Sequence, residues 1–179
     1  MTDEQIIERV RSGETRLFAE LVRRHQDRVH SMALRATGKP EDAEDLAQEV
    51  FLAVFRGLGG FKGDAKFTTW LYRVAWNRSA DWLRRHRGPL RRTASLEEAD
   101  DVEDPRADPA GEVFDKEDRR RLRQAIDGLD EHYRSVVELA CFQGLSYEQA
   151  GAVLGVPVKT VETRLYRARK LLRELMKER

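Results

Sequence analysis

The sequence predicts an all-α fold: two small helical domains joined by an acidic, flexible linker, the second domain carrying a helix-turn-helix. Three observations carry that expectation. Apolar residues recur every three or four positions along most of the 179-residue chain, and no alternating strand pattern of useful length occurs. Three of the five prolines (Pro89, Pro105, Pro109) fall between Gly88 and Gly111, among many acids and with almost no apolar periodicity. Near the C-terminus, Ser146, Gly155 and Pro157 stand where two short helices would start and stop. The expected boundaries are therefore 1–88, 89–112 and 113–179.

The elements follow in order. Thr2 and Gln5 have capping-box spacing ahead of Ile6, Ile7 and Val10. Leu17, Phe18, Leu21, Val22, Val29, Met32, Ala33 and Leu34 predict one or two further helices. Pro40, Glu41 and Asp42 suit the first turn of the next, because proline has no amide hydrogen to lose there and acids complement the positive helix end. Its apolar stripe is Leu46, Val50, Phe51, Val54 and Phe55, and Gly57, Gly59, Gly60 and Gly63 end it. A fourth helix is expected from about Lys66 to Arg87, with Trp70, Leu71, Val74, Ala75, Trp82 and Leu83 on its apolar side. In the second half, helices are expected from Phe114 to about Leu129, from His132 to Phe142, from Ser146, and from Pro157 nearly to the end.

The net charge of +1 conceals segregation. Residues 66–92 hold eight bases and one acid, 97–118 hold eleven acids and two bases, and 157–179 hold eight bases and three acids. Two basic blocks flanking an acidic one suit phosphate backbones, although solvated helix faces would also account for either basic block alone. The single cysteine, Cys141, excludes an internal disulfide and any multi-cysteine metal site. Its neighbours Leu139, Ala140 and Phe142 are apolar, so the thiol is expected to be buried. No apolar run approaches the ~20 residues that span a bilayer, and the N-terminus has no apolar signal segment, so the expected location is the cytoplasm, without membrane insertion. His25, His30, His86 and His132 are scattered, and no nucleophile–histidine spacing or phosphate loop occurs. Neither catalysis nor a metal or cofactor is expected.

Residues 146–172 are the most specific stretch. Ser146 and Gln149 have capping-box spacing, Gly151 is small where two helices approach, and Gly155 can take the positive φ of a tight inter-helix turn. Pro157 fits the next first turn, and Val161 would lock that helix to the core. With Leu154, Val156, Leu165, Ala168 and Leu172 buried, Lys159, Thr160, Glu162, Thr163, Tyr166 and Arg167 remain exposed. This matches a helix-turn-helix whose second helix enters the major groove, where Arg and Lys read guanine or phosphate, Glu accepts from cytosine and Thr meets a thymine methyl.

Here a family resemblance becomes plain. LSYEQAGAVLGVPVKTVETRLYRARKLL resembles the promoter-reading C-terminal region of bacterial RNA polymerase sigma factors of the extracytoplasmic-function (ECF) group. EDAEDLAQEVFLAVFRGL resembles the group's polymerase-binding helix, and FKGDAKFTTWLYRVAWNRSADWLRR its segment for reading and opening the −10 element. The resemblance implies a factor that directs core polymerase to promoters, touching the β′ clamp helices and the β flap. Asp45, Gln48, Glu49, Phe51 and Phe55 would face the clamp helices. Phe61, Lys66, Arg73, Trp76, Asn77, Arg78, Arg84 and Arg85 would handle the −10 element, with Asn77 lining a pocket for an extruded base. Trp70 reads as core, while Trp76 reads as partly exposed; Lys159, Thr160, Glu162, Thr163, Tyr166 and Arg167 would read the −35 element. The acid at 162 stands where many relatives carry a base, so no −35 sequence carries over. The acidic linker is either a nucleic-acid mimic threading polymerase or a plain spacer. By the same resemblance, a separate anti-sigma protein would regulate the factor. The rival is a free-standing helix-turn-helix regulator that binds operators without polymerase.

Overall fold

A computed structural model describes residues 1–87 and 116–177. The expected linker at 89–112 and the expected helix start at Phe114 lie outside the described residues. Among these residues there is no strand: the chain is all-α and divides into two compact units, Met1–Pro89 and Leu90–Arg179.

The first unit has four helices: α1 (Asp3–Arg11), α2 (Phe18–Thr37), α3 (Pro40–Gly57) and α4 (Phe67–Arg87). Thr2 caps α1 as its spacing predicts: its hydroxyl accepts from the Gln5 amide, and the Gln5 side chain accepts from the Thr2 amide. The stretch read as one or two helices is one, entered through a 3₁₀ turn at Thr15–Leu17 and closed by Gly38 at φ 74°. Ile6 and Ile7 of α1, Leu21, Val29 and Met32 of α2, Leu46, Val50 and Val54 of α3, and Phe67, Leu71 and Tyr72 of α4 form one core. Tyr72 is 2% exposed yet keeps a polar partner, because Arg28 Nη1 donates to its hydroxyl at 3.0 Å.

A polar clamp ties α1 to α2. Asp3 takes the Arg24 guanidinium at 3.0 Å and the His25 ring at 2.7 Å. Arg24 also reaches Glu20 at 2.8 Å, and its hydrogen bond, with that of Arg23, holds the Glu20 carboxyl below the ordinary carboxylate range.

The second unit has α5 (Lys116–Asp127), α6 (Glu131–Val137), α7 (Tyr147–Leu154) and α8 (Val158–Lys177). Its core is Leu129, Val136, Val137, Leu139, Leu145, Ala150, Val153, Val161, Leu165 and Ala168. Arg134 Nη1 donates to the Asp127 carbonyl at 2.9 Å, occupying an acceptor that the end of α5 leaves open.

After α6 the backbone widens into a π turn, Glu138–Phe142. This corrects the expectation for Cys141, which is exposed. Its apolar sequence neighbours do not share its side of the helix: Leu139, two positions earlier, points the opposite way and is fully buried.

Candidate nucleic-acid interface

The helix-turn-helix is built as its residues require. Ser146 caps α7, its hydroxyl accepting from the Gln149 amide at 3.2 Å while the Gln149 side chain accepts from the Ser146 amide at 2.9 Å. That hydroxyl and the helix amide at Glu148 also lower the Glu148 carboxyl, the amide contributing more. Gly155 closes α7 at φ 69°, a conformation that an L side chain strains. Gly151 is tighter still: a Cβ there would stand 2.7 Å from the Val156 carbonyl oxygen. The closest approach is therefore to the turn backbone, with α8 at ordinary contact distance through Val161 Cγ2 at 3.6 Å and the Val158 amide nitrogen at 3.7 Å.

Val161, Leu165 and Ala168 fix the inner side of α8, while Leu154, Val156 and Leu172 are only partly covered. Of the residues predicted to read DNA, Lys159, Glu162, Thr163, Tyr166 and Arg167 are exposed, Tyr166 at 72%, and Thr160 is half-buried. Thr163 donates its hydroxyl proton to the Lys159 carbonyl at 2.8 Å.

In the first unit the predicted residues sort onto distinct faces. Asp45, Gln48 and Glu49 are exposed on α3, and Phe55 is 40% exposed with its ring edge-on to Phe18 at 5.0 Å. Phe51 is half-buried. Leu52, 47% exposed, continues this face, as its helical spacing from Asp45, Gln48 and Glu49 requires.

On α4, Arg73, Asn77 and Arg84 are exposed and share one side by their spacing. Arg78 and Arg85 lie on another, where Arg85 reaches Glu49 of α3 at 3.6 Å. Arg84 pairs with Asp81 on its own helix, and Trp76 is half-buried.

Phe61 is only 7% exposed, its ring 5.4 Å from Trp70 and 5.9 Å from Phe67. Trp70, read as core, is half-buried against Gly57. Phe61 thus anchors the 61–66 loop from within, while Lys66 is exposed at the loop's other end. From α1, Arg11 donates to the carbonyls of Gly59 and Phe61, both at 3.4 Å, a support that nothing in the sequence pointed to.

A helix-turn-helix whose basic second helix keeps its outer side open to solvent is the arrangement of a DNA-binding protein. Comparison with known proteins gives the family. Residues 21–88 match Sigma-70 region 2 and residues 119–172 match Sigma-70, region 4. The RNA polymerase sigma-H factor of Pseudomonas aeruginosa is 36% identical, with 98% of this chain and 96% of that protein aligned. The ECF RNA polymerase sigma-E factor of Escherichia coli is 34% identical over 96% of this chain and 93% of its own length. Among solved structures, CnrH in complex with the cytosolic domain of CnrY is similar with a TM-score of 0.70 and 29% identity, covering 97% of this chain and 96% of that one. The chain belongs to the RNA polymerase sigma factors of the ECF group. It directs core polymerase to promoters and assists the start of transcription.

Proposed function

We propose a division of labour between the two units. The first docks on polymerase through the α3 face, Asp45, Gln48, Glu49, Leu52 and Phe55, where carboxylates and an amide can meet a basic coiled coil and the apolar side chains add buried area. It takes the −10 element along α4, with Lys66, Arg73, Arg78, Arg84 and Arg85 on phosphates and Asn77 on an extruded base. Phe61 acts from inside, holding the loop in shape. The second unit reads the −35 element as duplex through Lys159, Thr160, Glu162, Thr163, Tyr166 and Arg167. Joining both units in one chain raises the local concentration of each at its half of the promoter, so two weak contacts act as one stronger one.

The observation that carries this reading is the sorting of α8: Val161, Leu165 and Ala168 inside, and five of the six predicted reading residues fully outside. A regulator acting without polymerase would use this helix too, but would leave the region 2 match and the α3 face without a task. The protein works in the cytoplasm, catalyses no reaction of its own, and is held in check by an anti-sigma protein that covers the exposed Leu52 and Phe55.

Run-off transcription with bacterial core polymerase on a fragmented genomic library tests the proposal. Transcripts that start at a fixed distance from paired −35 and −10 motifs, and that vanish with Arg167→Ala or Asn77→Ala, are the expected result. Unchanged start sites in both variants would overturn the residue assignments. No polymerase binding at all would favour the free-standing regulator.

A further inference from the structure

On one flank of α8 an open cleft of about 260 Å³ lies against the start of α6, lined by His132, Tyr133, Lys159, Thr160, Arg164 and Arg167 among others. No acid lines it. Lys159, Arg164 and Arg167 form no salt bridge among the described residues, so their charge is not spent within the protein. Arg164 is half-buried and offers a rigid fork of donors. Tyr133 and Thr160 add hydroxyls and His132 adds a ring nitrogen, the two rings lying 4.0 Å apart. The cleft is smaller than the ~300–1,000 Å³ of ordinary small-molecule pockets, and three of its lining side chains, Lys159, Arg164 and Arg167, are cationic. A wall of donors without an acid, open on one side and sharing Lys159 and Arg167 with the reading face, suits an anion carried on the same duplex.

We propose that this cleft seats a backbone phosphate at the edge of the −35 element, with His132, Tyr133 and Arg164 as its wall. The proposal rests on the reading of α8 above and extends it: a contact from α6, outside the helix-turn-helix pair, fixes the register in which α8 meets the bases. Phosphate contacts of this kind position a protein without reading sequence. His132→Ala, Tyr133→Phe and Arg164→Ala therefore weaken binding on every promoter alike and leave base preference unchanged.

The test uses the full chain with core polymerase on a promoter obtained by run-off transcription. Ethylation of individual phosphates should block wild-type binding at one phosphate bordering the −35 element. In His132→Ala and Arg164→Ala that interference should disappear, while interference from methylated −35 bases persists. The slope of log affinity against log salt should fall by about one, the value for a single phosphate contact. Tyr133→Phe keeps the ring and removes only the hydroxyl, so it guards against a loss caused by misfolding, which circular dichroism checks in all three. An ethylation pattern identical in wild type and variants would overturn the phosphate seat alone. If the wild-type protein showed no base-specific interference at −35, the reading of α8 would fall with it.

Discussion

Gly151 shows how much a single residue decides. A methyl group there would meet the Val156 carbonyl oxygen at 2.7 Å, and because that oxygen belongs to the turn backbone it cannot swing aside. Gly151→Ala is expected to cost about 1–3 kcal/mol, as overpacking does. Thermal melting should show a lowered transition, and run-off assays should show −35-dependent promoters lost while polymerase binding through the first unit persists. The need for a small residue was legible in the sequence; its cause was not, because spacing tells which helices are near but not which backbone atom intrudes. Cys141 and Phe61 mark the same limit from opposite sides. Apolar neighbours in the chain suggested burial for the first, and the family resemblance placed the second among the residues that handle the −10 element. Cys141 is instead exposed on a π turn, and the Phe61 ring is buried against Phe67 and Trp70. Neither a widened turn nor a three-dimensional ring contact leaves a periodic trace.

At the scale of elements the helices were largely legible, because capping boxes at Thr2 and Ser146, a first-turn Pro40 and apolar periodicity are local signals. Which side of each helix faces inward was also readable where apolar residues repeat cleanly, as on α8. It was less so on α3, whose apolar residues extend around to Leu52 and Phe55 on the exposed side. Leu52 and Phe55 stand three residues apart on this exposed side, where a docking partner would cover both. Leu52→Ser should leave the melting temperature within about a degree or two, since surface changes seldom exceed ~0.5 kcal/mol. Affinity for core polymerase should fall at least tenfold, corresponding to ~1.4 kcal/mol. Titrating core polymerase against fluorescently labelled protein would check this, and an unchanged affinity would remove α3 from the docking face. The Glu49–Arg85 pair links this helix to α4 but is half exposed at both ends, so its contribution to stability is small.

For the molecule as a whole, the near-zero net charge misleads. The basic residues of α4 and α8 are on separate units, and the proposed division of labour gives each a modest DNA contact. The isolated protein should therefore bind promoter duplex weakly, losing affinity steeply between 50 and 200 mM salt as phosphate-dominated contacts do. Adding core polymerase should bring a sequence-specific footprint. A tight specific footprint from the free chain would show that the division of labour is wrong. The exposed thiol of Cys141 has a more practical bearing on the whole molecule. With one cysteine per chain, a maleimide dye should attach stoichiometrically to the native protein, at a single known position on the second unit. Left in air without reductant, the same sulfur should join two chains into a covalent dimer that non-reducing electrophoresis resolves and dithiothreitol reverses. A dimer seen in an ageing preparation of this sigma factor would then be a product of handling rather than a second mode of binding DNA.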